Sequence, residues 1–95
     1  MADDDGPDRI EALRVQIDEL DEQLLVVLAQ RFKVTRQVGT LKAERGLPPQ
    51  DATREAQIDA KVRRLADQHD LDEAMVSEVL RAVIDRVVAE HREVS

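Results

Sequence analysis

Apolar residues recur along the first half of the chain at Ile10, Leu13, Ile17, Leu20, Leu24 and Val27, then at Val34, Val38 and Leu41. The steps are mostly threes and fours, which puts these side chains in one stripe along a helix. Pro7 suits the first turn, with Asp5 or Gly6 as its cap. Gly46, followed by Pro48 and Pro49, reads as the stop. The pattern predicts one helix from about residue 8 to 45. Gly39 is its only weak point, at about 1 kcal/mol relative to alanine.

Two shorter helices follow. Asp51 is placed to cap the second, with Glu55 in its first turn. Its stripe is Ala52, Ile58, Val62 and Leu65, and it should end near His69. Asp72 caps the third, with Leu71 placed to staple onto Val76. The stripe then runs through Val76, Val79, Leu80, Val83, Ile84, Val87 and Val88. The expected organisation is a flexible acidic start over 1–7, a single helical domain over 8–92 and a frayed end over 93–95.

Length then becomes informative. A helix of about 38 residues spans roughly 57 Å at about 1.5 Å per residue. A globule of this chain length is only about 35 Å across. Two shorter helices cannot cover such a rod. The expected solution is an all-α, intertwined homodimer of three-helix chains, with the long helices of two copies side by side.

Composition narrows the function. The 95 residues contain one aromatic, Phe32, and no cysteine, so stacking platforms, disulfides and thiolate chemistry are excluded. The formal net charge is -7. Such a field does not attract nucleic acid or anionic membranes. The acidic start has neither the basic region nor the apolar run of a secretory signal, and no segment approaches a membrane span. A cytoplasmic helical protein is expected.

The charged residues that interrupt the stripe carry the chemistry. Arg31 takes the register position that Ile10, Ile17 and Leu24 hold earlier and Val38 holds later. A buried, unpaired guanidinium costs several kcal/mol, so Arg31 must meet an anion. Lys42 lies eleven residues on, only about 20° round the same helix. Arg14 is about 100° round from Arg31 and some 25 Å away along the axis, but an antiparallel partner chain could bring it back. Asp51, Arg54 and Glu55 cluster at the start of the second helix, and Arg54 shares the face of Ile58 and Val62, which predicts that it points inward. His91 prolongs the stripe of the third helix through Ile84 and Val87. Taken singly, these read as a specificity device, surface cations, a cap with a local ion pair, and a histidine complementing a helix dipole. Their convergence on one water-poor interior points instead to an anionic ligand.

The stretches LRVQIDELDEQLL, LAQRF, VGTLKAERGLP and DATRE resemble the AroQ-type chorismate mutases, an all-helical family of intertwined dimers. The resemblance covers about residues 9 to 91 without a gap. It implies a rearrangement of chorismate to prephenate. By that resemblance Arg14 would reach the partner chain's site and hold a carboxylate, and Arg31 would hold one in its own chain. Lys42 would contact the ether oxygen and a carboxylate. Asp51 and Glu55 would receive the ring hydroxyl, Asp51 through its backbone, while Arg54 would support the carboxylate end and orient its acidic neighbours. Two positions depart from the common pattern. Val87 stands where a serine touches a carboxylate, and His91 where a glutamine donates to the ether oxygen. Isochorismate–pyruvate lyases and aminodeoxychorismate mutases share the scaffold. A non-catalytic dimerisation module is the rival from another class. Some small members of the family also depend on an activating partner enzyme of the same pathway.

The chemistry suits the residues. A unimolecular rearrangement needs no nucleophile, metal or cofactor. It needs a frozen conformer and stabilised charge on the breaking C–O bond. Forked guanidinium groups match the two carboxylates of the dianion. Donors at the ether oxygen favour the transition state over the ground state.

Overall fold

The computed structural model describes residues 7–94. Three α-helices follow one another: α1 (Pro7–Glu44), α2 (Ala52–Gln68) and α3 (Glu73–Val94). No strand occurs among the described residues. This is the all-α order predicted, one long helix and two shorter ones. The expected cap at Asp5 or Gly6, the acidic residues 3–5 and Ser95 lie outside the described residues. Among the described residues no helix is long and apolar enough to cross a membrane. By internal contacts the chain divides into two compact units, one ending at Lys33 and one beginning at Val34, so the boundary falls inside α1.

The first unit contributes only α1. Its apolar stripe is open to solvent: Leu20 is 61 % and Leu24 65 % exposed, and Ile10, Leu13, Ile17 and Val27 are exposed with them. Burial of an apolar face supplies most of a helix's stability in water. In a single chain this face has no such support.

The second unit is built on a hairpin of α2 and α3. Ile58 and Val62 of α2 meet Ile84 of α3, with Val76, Leu80 and Val88 packed around them. Ala66 is buried one turn beyond Val62. The caps explain why the chain turns where it does. Gly46 takes φ 67°, a left-handed conformation that glycine adopts without steric cost. The Leu47 N–H then donates to the Lys42 carbonyl (2.8 Å) and the Gly46 N–H to that of Ala43 (3.2 Å), closing α1. The Asp51 carboxylate accepts from the Arg54 N–H (3.0 Å) and opens α2. Asp72 accepts from the Met75 N–H (3.1 Å) and opens α3.

The α2–α3 turn carries a surprise. Asp70 sits at φ 55°, where the Leu71 N–H reaches the Ala66 carbonyl (2.8 Å) and the Asp70 N–H that of Asp67 (3.3 Å). This is the same closing motif as at Gly46, built on a residue with a side chain. Aspartate is among the few such residues that visit this region.

Gly39 is more than a weak point in α1. A Cβ placed on it would lie 2.5 Å from Cδ2 and 2.9 Å from Nε2 of His91. The His91 ring is buried, and its Nε2 lies 2.8 Å from the Thr35 carbonyl. The carbonyl can only accept, so Nε2 carries the proton. The ring is therefore held from both sides and cannot yield as a flexible side chain would. Gly39→Ala should lower stability where His91 is present, because overpacking costs about 1–3 kcal/mol. In a His91→Ala background the same change should raise stability by up to about 1 kcal/mol through helix propensity. Denaturant unfolding of the four proteins at one concentration checks the reversal of sign; a gain in both backgrounds would refute the packing account.

Candidate active site

The first turn of α2 brings Asp51, Arg54 and Glu55 together, as the sequence suggests. Two of the three oxygens of Asp51 serve this turn. Oδ1 accepts from the Arg54 N–H and the carbonyl accepts from the Glu55 N–H (3.0 Å). Oδ2 and the backbone N–H are left for a ligand. Arg54 does not point inward. It is exposed, and its Nη1 lies 3.5 Å from Gln57 Oε1. It does share the face of Ile58, but it stands one turn before the buried positions of α2 begin. Periodicity gives an angle round the helix and not how far along it the cover extends.

Nor does Arg54 orient Glu55. That cation is Arg81 on α3, whose Nη1 donates to Glu55 Oε1 at 2.8 Å. Arg81 also lies 3.9 Å from Asp85. The hydrogen bond from Arg81 holds the Glu55 carboxyl below its ordinary pKa; partial burial opposes this, the Gln50 side chain assists and Asp51 opposes. Glu55 is therefore ionised at neutral pH and can only accept. Its second oxygen, Oε2, is shielded from solvent and has no hydrogen-bond partner. Sequence reasoning missed Arg81. The available signal was its place beside the stripe of α3, one turn before Ile84, as Glu55 is one turn before Ile58.

Lys42 is half-buried in the last turn of α1, and its Nζ donates to the Pro49 carbonyl at 3.2 Å. That leaves two of the three ammonium protons for other acceptors. On α3, Val87 is half-buried and His91 is buried one turn further on. With the His91 Nε2 proton given to Thr35, Nδ1 is left buried and without a partner. Nδ1 of a neutral ring with this tautomer is an acceptor, and it donates only as imidazolium. Beside it, Glu90 receives Nε and Nη2 of Arg36 on one oxygen (3.2 and 3.0 Å). Arg36, Gly39, Thr40, Glu90, His91 and Glu93 line an open pocket of about 250 Å³. Among the site residues expected from sequence, only His91 belongs to it.

In the first unit, Arg14 is exposed and pairs with Glu11 on the next turn (2.9 Å). Such a surface pair contributes little and is readily exchanged. Arg31 behaves differently. It is half-buried, and its Nη1 is shielded from solvent with no hydrogen-bond partner. Arg14 and Arg31 stay on one unbroken helix, so α1 alone cannot bring them together.

Residues 13–92 match the family model described as chorismate mutase type II. The chain is 28 % identical over 78 residues to the chorismate mutase of Methanocaldococcus jannaschii, covering 82 % of this chain and 79 % of that one. It is 32 % identical over 74 residues to the bifunctional chorismate mutase/prephenate dehydratase of Escherichia coli K12, covering 78 % of this chain but only 19 % of that much longer protein. It is 30 % identical over 83 residues to the 4-amino-4-deoxychorismate mutase of Streptomyces pristinaespiralis, covering 87 % of this chain and 61 % of that one. The family match takes in nearly all of α1 and the whole of α2, and it ends two residues short of the end of α3. The chain therefore belongs to the chorismate mutase type II family of enzymes.

Proposed function

We propose that this protein converts chorismate to prephenate, and that each site is completed by a second copy of the chain. The observation that carries the reading is Arg31. Its guanidinium nitrogen is withheld from water and unpaired within the chain, in a helix matched to a family named for a dianionic substrate. A carboxylate is the partner that its forked geometry fits best.

The step is a single rearrangement in which the ether C–O bond breaks as a C–C bond forms. Arg31 binds one carboxylate of the substrate, and Arg14 of the second copy binds the other. Together they hold the chair-like conformer, so the reacting carbons stay close and aligned. Lys42 donates to the ether oxygen as negative charge grows there, which stabilises the transition state more than the bound substrate. His91 adds a second donor from Nδ1 when the ring is protonated. The ring hydroxyl donates to Glu55 Oε2 and accepts from the Asp51 backbone N–H. Val87 supplies an apolar wall where a polar contact would otherwise lie. The exposed stripe of α1 supports the second copy as partner: its length matches the same stripe on another α1, and pairing them antiparallel carries Arg14 toward Arg31.

A second substrate is favoured by one observation, the likeness to a 4-amino-4-deoxychorismate mutase. Incubating the protein separately with chorismate, isochorismate and 4-amino-4-deoxychorismate, and identifying the products, decides among them; prephenate from chorismate is expected. Arg31→Ala should lower kcat/KM by on the order of a hundredfold or more, at least about 3 kcal/mol of transition-state binding. Near-normal turnover by a folded Arg31→Ala protein would contradict the site. His91→Ala should lower kcat more than it raises KM, because the ring is assigned to the breaking bond. An unchanged kcat in a folded His91→Ala protein removes His91 from the reaction.

A further inference from the structure

We infer that Arg81 is a specificity-determining residue of this site: by binding Glu55 from behind, it makes the enzyme select a neutral ring hydroxyl over a ring amine. The inference rests on the proposed function, and specifically on Glu55 facing the ring substituent.

The geometry divides the two oxygens of Glu55. Oε1 is taken by Arg81 Nη1 at 2.8 Å, while Oε2 is shielded from solvent and unpaired. A buried acceptor without a donor is costly, so Oε2 is arranged for a donor that arrives with a ligand. An unaccompanied carboxylate would welcome a protonated amine at that place at least as well as a hydroxyl. Arg81 changes this balance. The pair carries no net charge, so a hydroxyl can donate to Oε2 without needing a charge of its own. A protonated amine would bring a second cation toward the guanidinium, and like charges on either side of one carboxylate repel.

Three further carboxylates temper this repulsion, Asp51 beside Glu55 and Asp59 and Asp85 beside Arg81. Arg81 is nevertheless the charged group bonded to Glu55 itself. Gln50 assists in lowering the Glu55 pKa and adds no charge. Arg81 touches Glu55 and no reacting atom, so it acts through Glu55 as a positioning residue. Its side chain is about half exposed while that of Glu55 is mostly covered, so the cation sits on the solvent side of the carboxylate.

The test compares wild type, Arg81→Met and Arg81→Lys. Each is assayed for kcat/KM with chorismate and with 4-amino-4-deoxychorismate, across the acid range. Arg81→Met should raise KM for chorismate more than it lowers kcat, since the ring hydroxyl lies away from the breaking bond. The ratio of kcat/KM for the amine to that for chorismate should rise at least about tenfold. The acid limb of the chorismate profile should move to higher pH, because Glu55 without its cation gains a proton more easily. Arg81→Lys keeps the charge and should return both readouts toward wild type. A merely structural role for Arg81 would alter stability and leave the ratio and the limb in place. Chorismate turnover by wild type with an unchanged ratio and limb in Arg81→Met overturns this inference and leaves the proposed function standing. Wild type that turns over neither compound overturns both.

Discussion

One nitrogen of the half-buried Arg31 guanidinium is taken out of water without a partner, and such a donor calls for negative charge. Arg31 holds a register position that apolar residues fill before and after it, and one of its nitrogens has neither solvent nor protein partner. Several kcal/mol oppose such a state unless an anion joins it. On the proposed function, Arg31 is half of an ion pair whose other half arrives with the substrate. The same logic extends to Glu55 Oε2 and His91 Nδ1, which are also withdrawn from solvent without partners. Among the described residues Glu90 Oε2 is a fourth such atom, and on the proposed function the first three are the groups that a ligand would satisfy.

The net charge of -7 sharpens the picture. The global field repels a dianion, so attraction must be local and depend on where the cations sit. Lys42 is steered by the Pro49 carbonyl, and Arg81 is spent on neutralising Glu55. Arg14 is parked against Glu11 at the surface, on a helix that cannot fold back toward its own Arg31. On the proposed function, the long exposed stripe of α1 and the exposed Arg14 are both satisfied by a second α1. A requirement for two chains would then be a requirement of the chemistry as much as of the hydrophobic effect.

Much of this was legible in the sequence. The stripe from Ile10 to Leu41 gave the extent of α1 to within a residue, and Gly46, Asp51 and Asp72 marked its end and the two later starts through chemistry specific to helix ends. Arg31 stood out because it broke a period. What escaped has a common cause. Arg54 was read as inward because it shares an angle with Ile58, yet no angle says where a neighbouring helix begins to cover it. Arg81 depends on the register of α2 against α3, and Gly39 on a ring 52 positions away in sequence. Asp70 was unreadable for another reason: its left-handed turn is one that glycine or asparagine would have announced. Local rules see helices and their ends; pairings between helices need the packed chain.

The central claim is that one site needs cations from two chains. Arg14→Ala and Arg31→Ala chains, unfolded together in equal amounts and refolded, provide its most direct measurement. Each variant alone should be nearly inactive. The mixture should recover about a quarter of wild-type turnover, because half the dimers would be mixed and each mixed dimer would hold one intact site. A mixture no more active than its components would contradict the account.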